Sequence, residues 1–345
     1  MICPVSRHAT LAGQIACALL AAGAIALGLA ACGGDDDGAR PDVDATLLLD
    51  FTPNGVHAGI YSAVARGYDD AEGVALTIRQ PSSSSDAVKL LAAGRADFAV
   101  LDIHDLALAR ELGNDLVAVM SIAQRPLAAI LAQPDVAGPR DLEGRRVGVT
   151  GLPSDEAVLR SIVEGAGGEP DRVRVTTIGF NAVAALVARR VSGATAFWNV
   201  EGLALERERP GSRQFRVEDY GAPAYPELVL VVRRTFLQDE PDVVRATVDA
   251  LRRGYAFTLT DPDSSASDLV DQVPDASREQ IVAQLDVLTK VFLGPTGHPG
   301  GLDEDVLRRW ARWEARFGIT REPPDVAQAF TTRYANAPLD DQTGG

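Results

Sequence analysis

A set of aromatic, amide and carboxylate side chains, each beside a short apolar run, carries the chemistry of this chain. Asn54 offers an amide donor and acceptor to the edge of a heterocycle. Phe51 and Trp198 could sandwich a planar ring, a stack contributing about 0.5–1.5 kcal/mol beyond area burial. Glu201 and Glu227 can accept hydrogen bonds from an exocyclic amine or pair with a protonated ring nitrogen. Tyr225 adds a ring face and a hydroxyl, and Asp102 and Asn181 complete the candidate ligand contacts together with His57. Phe51 also fits plain core packing, and His57 and His104 fit a capping or packed role as well as a ligand contact. Asp102, His104 and Asp105 stand close together, but no second cluster has metal-ligand spacing, so no metal site is expected. No Gly-x-Ser-x-Gly, phosphate loop or His-Glu-x-x-His motif supplies a catalytic constellation.

The elements that must position these residues alternate strand and helix, which predicts layered α/β architecture. Strands are expected at 46–51, 74–78, 96–101, 116–122 and 128–132, with helices at 57–67, 86–93 and 103–112. A second series follows Pro139: strands at 146–149, 173–178 and 194–198, helices at 154–165 and 182–190, and a return strand at 228–232. Ser154 is the expected N-cap of its helix. Ser82–Ser85 fit either a ligand-facing helix start or a cap for the helix at Asp86. Beyond Pro241 the period is helical throughout, and Trp310 and Trp313 there read as packing residues. One series interrupts the other, so the second lobe is inserted into the first. The expected first lobe is 46–136 with 229–334, and the second is 137–228. Hinges are expected near Ala132–Gly138 and Pro226–Val229, and the cleft between the lobes is the expected ligand site.

The N-terminus gives the address. A basic start (Arg7, His8) precedes an Ala- and Gly-rich apolar run that ends in Leu29-Ala30-Ala31-Cys32. An apolar stretch closed by small residues is an export signal. The cysteine after two alanines resembles a bacterial lipoprotein signal, with cleavage before Cys32 and lipid attached to it. An uncleaved membrane anchor is the alternative, and in both cases the globular part lies outside the cytoplasm. Residues 32–45 read as a flexible acidic tether and 335–345 as a frayed tail.

Cleavage would remove two of the three cysteines (Cys3 and Cys17) and assign Cys32 to lipid, leaving the body without a disulfide or a thiol nucleophile. The net charge of −15 argues against nucleic-acid binding, which needs a basic face. Lysine is confined to Lys89 and Lys290.

The motifs gain weight from their order. Leu49-Asp50-Phe51-Thr52-Pro53-Asn54 with His57-Ala58-Gly59-Ile60-Tyr61 resembles the opening of the pyrimidine- and thiamine-precursor-binding branch of periplasmic solute-binding proteins. Ala93–Phe98, Gln124–Leu127, Gly151–Glu156, Gly179-Phe180-Asn181, Trp198–Gly202 and Tyr225–Leu228 continue it over roughly residues 46 to 260. That branch shares its fold with sulfonate and nitrate binders. The resemblance implies a two-lobed α/β fold of the periplasmic binding protein type II class. It also implies capture of a hydroxymethylpyrimidine-type solute by a monomer, for an ABC permease and its ATPase, with Asn54, Tyr225 and Glu227 touching the aminopyrimidine. Phe51 departs from the tryptophan usual there, so a flavin or another aromatic or anionic solute such as a sulfonate stays open. The same family contains a pyrimidine synthase that uses a lysine-bound pyridoxal phosphate, a donor histidine and a cysteine-rich iron motif. The segment Val100–His104 has no lysine, though His104 lies near the donor position, and 222–228 has no cysteine. The resemblance therefore implies a binder rather than an enzyme, and no cofactor.

Overall fold

A computed structural model describes residues 43–81 and 84–337. The signal, Cys32, Ser82, Ser83 and the last eight residues lie outside the described residues.

The strands are β1 (Val43–Leu48), β2 (Val74–Arg79), β3 (Phe98–Asp102), β4 (Leu116–Ala123), β5 (Ala128–Ala132), β6 (Arg146–Val149), β7 (Arg174–Thr177), β8 (Gly193–Phe197), β9 (Arg213–Arg216) and β10 (Leu228–Arg233). They form two five-stranded sheets, β2-β1-β3-β10-β4 and β7-β6-β8-β5-β9. In the first sheet β1 runs parallel to β2 and β3, while β10 is antiparallel to β3 and β4. The second sheet repeats the plan, with β6 parallel to β7 and β8, and β5 antiparallel to β8 and β9. In each sheet the antiparallel strand is the one that follows a crossing between lobes. Central strands bury both faces and so read as unbroken apolar runs, as in Leu228-Val229-Leu230-Val231-Val232.

Helices cover the sheets: α1 (Ala58–Ala65), α2 (Tyr68–Ala71), α3 (Ser84–Ala92), α4 (Ile103–Glu111), α5 (Pro153–Gly165), α6 (Ala182–Val187) and α7 (Glu201–Glu208). The C-terminal third contributes α8 (Arg234–Asp239), α9 (Pro241–Thr260), α10 (Pro262–Gln272), α11 (Arg278–Leu293), α12 (Glu304–Arg316) and α13 (Val326–Ala329). In α12, Val306, Leu307, Trp310, Ala311, Trp313 and Glu314 recur at helical spacing and face inward. Asp303 caps this helix by accepting from the Asp305 and Val306 amides.

The two lobes, with the second inserted into the first, match the expected fold, but their boundaries differ. β5 belongs to the second sheet, not the first lobe, because its backbone pairs with β8 and β9. The chain therefore crosses at 124–127 and again ahead of Leu228, and Ala132 lies inside a lobe rather than at a hinge. Pro153 starts α5 after Leu152, so Ser154 is not its cap; Asp155 instead accepts from the Gly151 and Leu152 amides. Residues 335–337 are not frayed: Ala335 is buried, and the Asn336 amide exchanges two hydrogen bonds with the Leu302 backbone.

Candidate functional site

The cleft between the sheets encloses about 880 Å³ of atom-free space, part of it open to solvent. Its lining comes from strand ends and the loops beyond them, where open α/β sheets present their ligand sites. After β1 come Asp50 and Phe51; at the end of β3 and start of α4 come Asp102, His104 and Asp105; at the start of β10 come Glu227 and Leu228. The second lobe adds Thr150, Asp155, Phe180, Thr195, Phe197 and Glu201.

Phe51 faces Phe180 from the opposite lobe, with ring centroids 5.6 Å apart and planes 38° apart. This pair replaces the expected Phe51–Trp198 sandwich. Trp198 is buried behind the wall, its indole N–H donating to the Pro126 carbonyl at 3.1 Å and the Arg216 guanidinium lying 3.8 Å over its ring. Phe180 is 55% exposed, so its outer face is available.

Acidic groups form the floor. Asp102 Oδ1 accepts from the His104 amide at 2.7 Å, which caps α4. His104 Nδ1 meets Glu314 Oε2 at 2.7 Å, and both residues are buried. Tyr225 and Trp313 pack on the His104 ring with centroids 5.2 and 5.7 Å away. Tyr225 is thus fully buried among these rings, a wall of the floor rather than a lining residue. Glu227 Oε2 accepts from the Leu127 and Ala128 amides, so one carboxylate ties the two lobe crossings together.

Burial and crowding of like charge set the protonation here. Burial, reinforced by Asp102, pushes Glu227 up to about 8, and the same two causes bring Asp105 up to about 7. Burial raises Asp102 and Glu201 above the usual carboxylate range. Burial alone would lower His104, but the carboxylates of Glu314, Asp102 and Glu227 outweigh it and hold the imidazole at about 10.

The remaining candidates serve the frame. His57 is buried, accepts the Asn54 amide at Nδ1 and donates from Nε2 to Asp50 at 2.8 Å, which orients that carboxylate. Asn54 commits its own amide to the loop, accepting from the Val56 amide and donating to the Thr52 carbonyl. It still lines a smaller annex of about 280 Å³ beside Phe51 and Glu201. Asn181 is exposed, donates to the Ile178 carbonyl and lies outside the cleft lining. The structure thus brings Phe51, Asp102, Glu201 and Glu227 to the cleft and Asn54 to its annex, while His57, Asn181, Trp198 and Tyr225 stand behind or beside it.

Sequence reasoning did not place Asp50, Asp105, Phe180 or Asn199 among the ligand contacts. Asn199, on the annex, is fully buried with both ends of its amide unpartnered. Phe180 and Asn199 stood within quoted motifs, and their signal was a polar or aromatic residue one to three positions beyond a strand.

Two α/β sheets joined by two crossings, with an aromatic and acidic cleft between them, define a protein of the periplasmic-binding-protein fold. The periplasmic aliphatic sulphonate binding protein of Escherichia coli superposes with a TM-score of 0.66 at 14% identity, covering 84% of this chain and 92% of that one. The chain belongs to the NMT1/THI5-like family, whose sequence pattern matches residues 54–265. It is 30% identical over 304 residues to the formylaminopyrimidine-binding protein of Halalkalibacterium halodurans, covering 86% of this chain and 92% of that protein. A 4-amino-5-hydroxymethyl-2-methylpyrimidine phosphate synthase of Legionella pneumophila is 24% identical over 84% of this chain and 91% of that enzyme. The riboflavin-binding protein RibY of Chloroflexus aurantiacus is 27% identical over 84% of this chain and 85% of that protein. Among the described residues, no helix is long and apolar enough to cross a membrane.

Proposed function

We propose that this chain is a lipid-anchored, extracytoplasmic solute-binding protein that captures an aminopyrimidine for uptake by an ABC importer. The observation that carries the reading is the pairing of Phe51 and Phe180 across a cleft lined by Asp50, Asp102, Asp105, Asp155, Glu201 and Glu227 and, among the described residues, by no arginine or lysine. Stacked rings hold a planar solute, and carboxyl groups accept from its amino groups or meet a protonated ring nitrogen. A sulfonate would meet six acidic side chains against one cation, the His104 imidazolium already paired with Glu314, so electrostatics turn the cleft against the anions that its fold neighbours take. The buried Asn199 amide gives the annex one donor and one acceptor for a polar substituent of the ring. One relative, at 30% identity, is a formylaminopyrimidine-binding protein, which supports the reading. A synthase-like reaction is disfavoured because, among the described residues, no lysine lines the cleft, and residues 33–345 hold no cysteine.

Contacts from both lobes exist together only when the lobes close, so solute shifts the population towards the closed form, which is the form a permease would dock. Calorimetry on the purified protein tests the assignment. Aminomethyl- and hydroxymethyl-aminopyrimidines should bind at micromolar concentrations or below, whereas alkanesulfonates should give no heat. Binding of riboflavin in preference to the pyrimidines, or of neither, would overturn it. Cys32→Ala should release the protein from the membrane fraction, and unchanged membrane association would remove the lipid anchor.

A further inference from the structure

The floor of the cleft brings one imidazole and two carboxyl groups together from the end of β3, the start of α4 and the residue ahead of β10. The geometry points to a divalent transition-metal site formed by Asp102, His104 and Glu227, whose nearest ligand atoms all lie within 4.8 Å of one another. An ion at their centre is reached by inward shifts of under about 1 Å each, given typical bond lengths of 2.0–2.2 Å to imidazole nitrogen and carboxylate oxygen.

Each residue has one atom engaged and one to spare. Asp102 uses Oδ1 to cap α4, and Glu227 uses Oε2 on the Leu127 and Ala128 amides. The other oxygen of each carboxylate has no hydrogen-bond partner among the described residues. His104 is 1% exposed, and its Nε2 is buried without a partner. A buried imidazole nitrogen without a partner is uncommon, because leaving such a group unsatisfied costs about 1–3 kcal/mol. Its other nitrogen, Nδ1, meets the Glu314 carboxylate at 2.7 Å. That arrangement, a histidine held by a carboxylate on one side and open on the other, is how proteins aim imidazole at an ion and raise its basicity. Tyr225 and Trp313 fix the ring plane.

The donor set of one nitrogen and two carboxylate oxygens suits zinc or another first-row divalent ion rather than calcium or magnesium. Three ligands leave a coordination position open towards the cleft, where a ring nitrogen or carbonyl oxygen of the solute can complete it. The sequence concealed the site because its two halves lie far apart. Asp102 and His104 read as an isolated pair until β10 pairs with β3, with Leu228 opposite Asp102, and delivers Glu227.

Zinc alone, titrated into the full-length, chelator-treated protein by calorimetry with no heterocycle present, tests the site. Expected is one ion per chain, with binding weakened at least about tenfold in Asp102→Asn and in His104→Gln. Asparagine caps a helix as well as aspartate does, so Asp102→Asn removes the ligand charge and keeps α4 intact. Glu314→Gln, one shell out, should weaken binding by about 10- to 100-fold, while Asn would be too short to hold Nδ1. His298→Ala, remote from the cleft, should change nothing. Absence of zinc binding overturns the proposal. So does zinc binding that persists unchanged in Asp102→Asn and His104→Gln, with their circular dichroism matching that of the parent. Heterocycle binding is read separately on metal-free protein, so either reading can fail without the other.

Discussion

At the scale of single residues, the cleft divides aromatic side chains that face a solute from those that hold the wall. Phe180 is 55% exposed and touches Phe51, whereas Trp198 is 3% exposed and locked by the Pro126 carbonyl and the Arg216 guanidinium. Phe180→Ala should therefore lower solute affinity by about three- to tenfold, the range of one stacking contact, with little change in melting temperature. Trp198→Ala should instead destabilise the fold by about 3–5 kcal/mol in urea denaturation, as loss of a buried aromatic does. A Phe180→Ala variant with parental affinity would remove the stack from the site. These two rings were not distinguishable in the sequence, because both lie within three residues of a strand's end and both sit in motifs of the same family. What buries Trp198 is Arg216 at the end of β9, a strand of sequence Arg-Gln-Phe-Arg that carries no apolar alternation. The acidic residues were more legible: Asp102 at the end of β3, Glu201 at the start of α7 after β8 and Glu227 just ahead of β10 all reach the cleft. Asn54 and His57 spend hydrogen bonds on the local turn, which leaves Asn54 at the annex and gives His57 the packed role that was one of its two expected readings.

Elements were legible where the hydrophobic period was long. The helices α9, α11 and α12 lie in the stretch beyond Pro241 where a helical period was expected, since their buried faces repeat at helical spacing over several turns. Sheet membership of β5 was not legible, because Ala128–Ala132 is apolar on both faces and carries no mark of which sheet it joins. Helix crossings were equally hidden. α1 and α9 cross where Gly59 meets Gly254, and a Cβ on Gly254 would lie 2.0 Å from the Gly59 carbonyl oxygen. Alanine would gain about 0.8–1 kcal/mol of helix propensity, but backbone atoms cannot yield as a side-chain end can. Overpacking costs about 1–3 kcal/mol or more, so the contact should win and Gly254→Ala should lower the melting temperature. A higher melting temperature would show that α1 shifts freely and that the crossing is not close-packed.

The whole molecule is two similar sheets hinged on two crossings, and Glu227 joins those crossings at the point where charge is most crowded. That placement makes stability respond to pH in a direction fixed by linkage. Glu227 at about 8 and Asp105 at about 7 lie above their ordinary carboxyl values, so folding takes up protons on both. Their stabilising contribution is complete below about pH 4 and is lost as pH rises through 7 to 8. His104, held at about 10, contributes fully below its unfolded value near 6.5, and that contribution fades as pH climbs towards 10. All three slopes have the same sign. The metal-free protein should therefore melt at progressively lower temperature between about pH 5 and pH 9.5, opposite to a protein whose carboxylates are held by salt bridges. Glu227→Gln keeps a carbonyl oxygen for the Leu127 and Ala128 amides and removes the ionisation, so it should flatten the part of the slope below pH 8. Calorimetric melts of parent and variant at half-unit pH steps measure it. A stability that rises with pH across this interval would mean that the floor carboxylates are ionised in the fold, with a counter-charge other than His104.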